Sequence, residues 1–325
     1  MNIPHTLRRT LLGLAAAACL PLSAWAQAYP SKPITLLVPF PPGGPTDLVA
    51  RVLAKKMSEQ MGQSIVIDNK PGANGNIAAV AAAKAPADGY TVLYNTSSIT
   101  LSPALYKSLT YDVQRDLAPV ALTAVVPLAL VVNPAVPVNN VREFIAYAKA
   151  NPAKLSYGSA GNGNVTHLAA FQLVKHHDID ATHVPYRGSA PADVDLVAGQ
   201  IQFMTDTINS VMPFVKDKRL KLLAVTTSQR MSLFPDVPTL GETVMPGFEA
   251  GAWQGIMVPA NTPKAVVQRL NAEINKALQS AEVKEKLALQ GAEPLGSTSE
   301  EYGAYVKKEL ARWAAVVKAT GVTLE

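Results

Sequence analysis

The chain has 325 residues, of which 48% are hydrophobic and 16% charged. That apolar content is enough for two ordinary domains and excludes an intrinsically disordered chain, which is charge-rich and apolar-poor. The 25 prolines are scattered without a repeat, and the formal net charge of +5 comes with no Lys/Arg cluster and no basic–aromatic stripe, so neither a fibrous protein nor a nucleic-acid binder is indicated.

Residues 1–26 read as an export signal. Arg8 and Arg9 give a basic start, Leu11 to Leu22 an apolar middle, and Ala24-Trp25-Ala26 the small residues a signal peptidase recognises. The apolar run is shorter than the roughly 18–20 residues of a membrane span and contains Pro21. The paired arginines also fit a twin-arginine signal, which leaves the export route open. Cys19, the sole cysteine, leaves with the signal, so the mature chain has no disulfide, no thiolate nucleophile and no Cys-ligated metal site. The longest later apolar run, Ala118 to Val132, is interrupted by Pro119 and Pro127. A soluble periplasmic protein, not embedded in a membrane, is the expectation.

Strand-like and helix-like patterns then alternate. Ile34–Val38 is a short β-branched and aliphatic run, as a buried parallel strand should be. A Pro/Gly turn, 40–45, leads to a helix over Thr46–Met61, with Leu48, Val49, Val52, Leu53 and Met57 at helical spacing and Gly62 as its stop. Strands over Ser64–Asp68 and Tyr90–Tyr94 flank an alanine-rich helix over Asn76–Lys84. A second set follows the strand Leu128–Val132: a helix over Val141–Ala150 capped by Asn139 or Asn140, a strand Leu155–Tyr157, and a helix over Val165–Lys175. Strands over Asp180–Val184, Ile201–Met204 and Leu220–Thr226 follow, with a helix over Ala190–Ala198 among them. Helices over Lys264–Gln279, Ala281–Gln290 and Ser299–Lys318 close the chain, the last with Ser297-x-x-Glu300 near its start as an approximate capping box. The alternation predicts an α/β protein built on mostly parallel sheets with crossover helices. The simplest division places 28–125 and 246–325 in one domain and 126–245 in the other.

Two glycine-rich turns share one design. Pro41-Pro42-Gly43-Gly44-Pro45-Thr46-Asp47 and Gly158-Ser159-Ala160-Gly161-Asn162-Gly163-Asn164 each join a strand to a helix. Glycine lets the backbone approach a ligand, and a helix N-terminus supplies free N–H donors and partial positive charge, so each turn suits a carboxylate or phosphate or serves simply as a cap. One turn from each domain suggests a shared cleft. Neither is a nucleotide motif, and Tyr157 stands where a nucleophile elbow needs glycine. No metal-ligating His pair and no cofactor motif is present. Ser159 with His167 is the sole hint of a hydrolase, without evident geometry, so no enzyme is expected.

The sequence resembles the Bug-type solute-binding receptors of the tripartite tricarboxylate transporter family. The resemblance runs through Val38-Pro39-Phe40-Pro41-Pro42-Gly43-Gly44, Asp68-Asn69-Lys70-Pro71-Gly72-Ala73-Asn74-Gly75, Ala87-Asp88-Gly89-Tyr90-Thr91, His183-Val184-Pro185-Tyr186-Arg187-Gly188 and Phe234-Pro235-Asp236-Val237-Pro238-Thr239. Pro45 stands where the family usually has Ala or Ser and removes one N–H. The resemblance implies a two-domain Venus flytrap that closes on a small organic carboxylate, a di- or tricarboxylate or an aromatic acid, and delivers it to membrane permease subunits. A monomer is expected, and a receptor feeding a sensor partner shares the same site. The implied ligand contacts are Phe40, Gly43, Gly44, Thr46 and Asp47, then Thr96, Ser97 and Ser98, and from the second domain Ser159, Ala160, Gly161, Asn164, His167 and Asp206. Asp47 and Asp206 suit either a ligand-facing or a structural role, Phe40 either ligand stacking or core packing, and His167 either the cleft or helix packing. Arg187 is the only cation in these segments, so neutral donors would carry the binding. Hydrogen bonds to a charged group contribute about 1.5–3 kcal/mol each, and four or five, less ordering costs, reach the roughly 8 kcal/mol of a micromolar complex.

Overall fold

A computed structural model describes residues 29–231 and 233–320. The expected export segment, 1–26, lies outside the described residues. In chain order the elements are β1 (Ile34–Val38), α1 (Pro45–Met61), β2 (Ile65–Asn69), α2 (Asn76–Ala83), β3 (Thr91–Thr96), α3 (Ser98–Leu105), α4 (Val113–Asp116) and β4 (Leu117–Val132). There follow α5 (Val141–Ala150), β5 (Leu155–Ser159), α6 (Val165–His176), β6 (Ala181–Pro185), α7 (Ser189–Val197), β7 (Phe203–Thr207), α8 (Ile208–Lys216) and β8 (Lys221–Val225). The chain ends with α9 (Leu240–Thr243), β9 (Gly251–Pro259), α10 (Lys264–Gln279), α11 (Ala281–Leu289), β10 (Glu293–Pro294) and α12 (Ser299–Thr320).

The strands run in the order β2-β1-β3-β9-β4-β7-β5-β6, with β8 and β10 also paired to β4. The βαβ units pair parallel as expected: β1 with β2 and β3, and β5 with β6 and β7. The strands β9 and β4 enter antiparallel and join the two halves into one mixed sheet. The apolar run Ala118–Val132 thus lies within a single 16-residue strand, Leu117–Val132, shared by both lobes. Leu117–Pro127 of it pairs with β9, whereas Leu128–Val132 pairs with β7 and β8. Pro119 is tolerated inside it because the register with β9 shifts there, and Pro127 stands where the strand changes partners.

The change of partner is pinned by Thr226. Its Oγ1 accepts from Leu128 N at 3.0 Å and donates to Ala250 O at 2.6 Å, while its own N–H donates to Leu128 O at 2.9 Å. One buried side chain therefore ties together the two places where the chain passes between lobes.

One large apolar cluster runs through both lobes, from Ile34 and Leu53 to Leu168, Leu196 and Met204, and a second is confined to the second lobe. Ile34, Leu36, Val38 and Leu53 sit between α1 and the first half of the sheet, and Phe144, Tyr157, Phe203 and Leu173 between α5, α6 and the second half. Phe144 and Phe203 meet edge-on at 4.8 Å between centroids. The cap of α5 is Asn140, which accepts from Glu143 N at 2.9 Å. At α12 the capping box lies one residue later than the sequence suggests: Thr298 Oγ1 accepts from Glu301 N at 3.1 Å and Glu301 Oε2 accepts from Thr298 N at 2.8 Å.

Candidate functional site

The C-terminal ends of β1, β3, β5 and β7 all open towards the gap between the lobes, and each is followed by a helix. A cleft there encloses about 560 Å³, part of it open to solvent. Phe40, Pro41, Pro42, Gly44, Pro45, Thr46, Thr96, Ser97 and Ala252 line it from the first lobe. Ala160, Asn164, Val165, Thr166, Arg187, Gly188, Ser189, Ala190, Pro191 and Thr207 line it from the second.

Five helices begin at this cleft: α1 after Gly44, α3 after Ser97, α6 after Asn164, α7 after Gly188 and α8 after Thr207. Only α6 carries a side-chain cap, with Asn164 accepting from Thr166 N at 3.0 Å. The N-cap residues of the other four make no side-chain cap, although in α3 Ser98 N is directed to Thr96 Oγ1 at 3.4 Å. The positive ends of these helix dipoles thus border one small volume, the arrangement that stabilises an anion without a cationic side chain. Ser97 adds a hydroxyl: the residue is 1% exposed, lines the cleft, and its Oγ has no protein partner. The lining carries one charged side chain, Arg187, which is exposed and forms no hydrogen bond or ion pair among the described residues. The prolines, Phe40, Val165 and Ala252 make the rest of the wall apolar, suited to a hydrocarbon frame.

Of the residues expected at the site, Phe40, Gly44, Thr46, Thr96, Ser97, Ala160 and Asn164 line the cleft. The others stand behind it or, for Gly161, at its outer mouth. Gly43, at φ +76°, turns its N–H back to Asp47 Oδ2 at 2.8 Å, away from the cleft. Asp47 is fully buried and also accepts from Arg51 Nε at 2.7 Å and Asn69 Nδ2 at 2.9 Å. Burial pushes its carboxyl up, but the hydrogen bonds from Arg51, Asn69 and Gly43 outweigh this and hold it below the usual carboxylate range. These three bonds brace the first turn. Ser98 Oγ is directed to Asn74 Oδ1 at 2.9 Å.

In the second lobe Gly161, at φ +136°, lies at the outer mouth beside Asn162 and Tyr186. Ser159 is fully buried, and the histidine that meets its Oγ is His183, through Nε2 at 2.7 Å, rather than His167. Parallel pairing of β5 and β6 sets Tyr157 opposite His183 and so brings the imidazole onto this face. His183 in turn stacks on His167 with centroids 3.8 Å apart, and His167 Nδ1 accepts from Gly163 N at 3.2 Å. Burial lowers the His167 pKa to about 4, and burial together with the neighbouring His167 lowers that of His183 to about 3. Two neutral imidazoles thus support the glycine turn from behind. Among the described residues no acid is bonded to His183, and Ser159 is closed off from solvent. Asp206 is also fully buried, accepting from Ser189 Oγ at 2.7 Å and from Thr207 N at 2.6 Å.

Sequence reading missed Thr166, Ser189, Pro191, Thr207 and Ala252. Ser189 and Thr207 stand at helix starts immediately after strands or turns, the same signal that identified Asn164. Among the described residues no group of three or more His, Cys, Asp or Glu is placed to hold a metal ion, and no helix is long and apolar enough to cross a membrane.

A family model described as "Tripartite tricarboxylate transporter family receptor" matches residues 49–322. Protein BugT of Bordetella pertussis is 40% identical over 304 residues, covering 92% of this chain and 93% of its own. Among solved structures, R. palustris Rpa4515 with adipate superposes with a TM-score of 0.88 at 38% identity, covering 91% of this chain and 99% of that one. MatC from Rhodopseudomonas palustris with bound malate superposes with a TM-score of 0.83 at 34% identity, covering 89% and 100%.

Proposed function

This chain belongs to the tripartite tricarboxylate transporter family of receptors, and from that premise we propose that it captures a small organic acid in the periplasm and presents it to membrane permease subunits. Family membership makes it a solute-binding receptor, not an enzyme. The ligand, a di- or tricarboxylate or an aromatic acid, sits between two lobes: 28–125 with 246–325, and 126–245. The lobes hinge where β4 changes partners at Pro127/Leu128 and where Thr226 meets Ala250. Residues 1–26 direct export, and the mature receptor acts as a monomer. Adipate and malate in the two similar structures support a carboxylate ligand here.

The observation that carries this reading is the convergence of five helix N-termini on one cleft whose lining holds no acidic side chain. The carboxylate lies among Ser97 Oγ and the uncapped N–H groups of α1 and α7, with Thr46, Thr96 and Asn164 around it. Gly44 is kept free of a side chain because a Cβ would stand 3.3 Å from Pro41 O and the rest of the side chain would fill the cleft. A thermal-shift screen of mono-, di- and tricarboxylates, aromatic acids and amino acids tests the proposal. A matching acid at about 100 times its Kd stabilises the fold by about 2.7 kcal/mol, and Gly44→Leu abolishes that shift while leaving the unliganded melting temperature nearly unchanged. Absence of a shift across the whole panel refutes it.

A further inference from the structure

Behind the cleft lies a pair of buried carboxyls that the binding reading does not use. Asp193 on α7 and Asp206 at the end of β7 are 2% and 0% exposed, and neither has a cationic partner among the described residues. Each keeps one oxygen without a protein donor, Asp193 Oδ1 and Asp206 Oδ2. The remaining oxygens are occupied: Asp193 Oδ2 accepts from Ser210 Oγ, and Asp206 Oδ1 accepts from Ser189 Oγ at 2.7 Å and from Thr207 N at 2.6 Å. The helix that carries Asp193 packs on β7, where Asp206 stands, so each buried carboxyl feels the other's charge. Two buried acids so placed, with no cation beside them, do not both ionise, so the pair retains a proton. Burial accordingly raises both groups, Asp206 to about 6, and the Asp206 charge raises Asp193 further.

Asp206 decides what Ser189 offers the cleft. Asp206 Oδ1 already receives the Thr207 backbone N–H, so it is an acceptor whichever acid of the pair holds the proton. The Ser189 hydroxyl must then donate its only proton to Asp206 Oδ1. What remains on Ser189 Oγ are lone pairs, at a residue that lines the cleft. Ser189 is also the first residue of α7, whose uncapped start is rich in donors. A fixed acceptor therefore stands beside an anion-attracting helix start. A plain carboxylate oxygen is repelled by those lone pairs, whereas a hydroxyl or ammonium next to the carboxylate satisfies them.

Resting on the carboxylate reading above, we propose that the ligand of this receptor carries a hydrogen-bond donor, a hydroxyl or an ammonium, beside its carboxylate, and that Asp193 and Asp206 act as positioning residues which select it by holding Ser189 as an acceptor. The apolar walls contacted by the rest of the ligand are indifferent to this choice, which makes Ser189 the determinant.

Calorimetric titration with matched acids tests this. The sets are succinate, malate and aspartate, and 3-phenylpropionate, 3-phenyllactate and phenylalanine, with both enantiomers of each chiral member. In the wild type the substituted members of at least one set bind about tenfold tighter or more than the unsubstituted one, and comparison of hydroxy with amino members identifies the donor. Ser189→Ala reduces that ratio to near one, by weakening the substituted members far more than the unsubstituted one. Asp206→Asn preserves the ratio, because its amide oxygen still accepts from Ser189 and its N–H replaces the pair's proton towards Asp193. Asp206→Ala frees the Ser189 hydroxyl to donate and reverses the ratio. If unsubstituted acids bind as tightly as their substituted partners, or if Ser189→Ala weakens all members equally, the assignment fails while the carboxylate reading stands. If no acid of either set, nor any carboxylate of the thermal-shift panel, binds, the carboxylate reading falls and this inference with it.

Discussion

Asn164, the cap of α6 in the second lobe, donates its side-chain amide to Asn74 Oδ1 in the first lobe at 3.2 Å. The same Nδ2 lies 3.4 Å from Ser98 Oγ, which itself donates to Asn74 Oδ1 at 2.9 Å. Asn74 is held in the left-handed region at φ +53°, following Ala73 at φ +46°. Two successive non-glycine residues there carry strain of order 1 kcal/mol or more each, and the strained turn is what projects the amide across the gap. The bond is a direct lobe-to-lobe contact at the edge of the cleft and favours the closed arrangement. Asn74→Gly removes the amide and relieves the strain, so the fold survives but closure loses one hydrogen bond. A net bond of about 1 kcal/mol corresponds to roughly fivefold weaker ligand binding and a larger radius of gyration without ligand. Calorimetry and small-angle scattering check both; no change in either contradicts the assignment of a latch.

Asp47 braces the first turn through Gly43, Asn69 and Arg51, so its removal orphans buried donors rather than a ligand contact. Asp47→Ala destabilises the protein by about 2–4 kcal/mol in urea unfolding, and Asp47→Asn by less, since an amide oxygen still accepts one N–H. A larger loss of affinity than of stability would instead place Asp47 at the ligand.

The stacked imidazoles predict acid sensitivity in a defined window. Both are held below the ordinary histidine value of 6.5, His167 at about 4 and His183 at about 3. The folded state thus keeps them neutral while the unfolded chain takes up protons as soon as pH drops through 6.5. Their contribution to stability is intact above pH 6.5 and is lost progressively as pH falls from there towards 4 and then 3. Unfolding midpoints measured from pH 7.5 to 4.5 should decline, and His183→Gln, which can still bond Ser159 Oγ, should flatten the decline. An equally steep profile in the variant would assign the acid sensitivity to other groups.

Arg187 stands alone at the mouth as the one charged group of the cleft. It is exposed, so its field reaches an approaching anion through solvent and is screened over about 8 Å at physiological ionic strength. Arg187→Gln should slow association of a dicarboxylate several-fold in dilute buffer and have little effect in 1 M salt, with dissociation nearly unchanged. Stopped-flow rates at two salt concentrations decide this; a salt-independent loss in the dissociation rate would mean a direct ion pair.

Much of the fold was legible because its elements are locally consistent. The helix over Lys264–Gln279 appears in the structure with the same bounds, and α1, α2 and α5 differ by one residue or none. The strand β9 was not legible: Gly251-Ala252-Trp253-Gln254-Gly255 breaks any alternation, and glycine is required at 255, where a Cβ would stand 2.4 Å from Tyr302 Oη. The helices α3 and α8 were hidden by internal Pro103 and Pro213. The two anion turns were readable from glycine and helix-start chemistry. Which N–H groups face inward was not, because Gly43 and Asp206 are turned away by bonds to residues whose position depends on tertiary packing. Asp193 carried no local sign at all: only the approach of α7 to β7 makes it the partner of Asp206.

The route of the chain sets the order in which it can fold. Tyr94 Oη on β3 donates to Gln254 Oε1, 160 residues further on, and Asn95 exchanges hydrogen bonds with Tyr302, 207 residues away. The first lobe therefore stays an open three-stranded fragment until β9 and α12 have been made, whereas the second draws on a single continuous stretch. During synthesis the middle of the protein can consolidate ahead of its beginning, and a ribosome stalled before residue 250 leaves β3 with a bare edge. Shortening the C-terminus consequently damages the N-terminal lobe first.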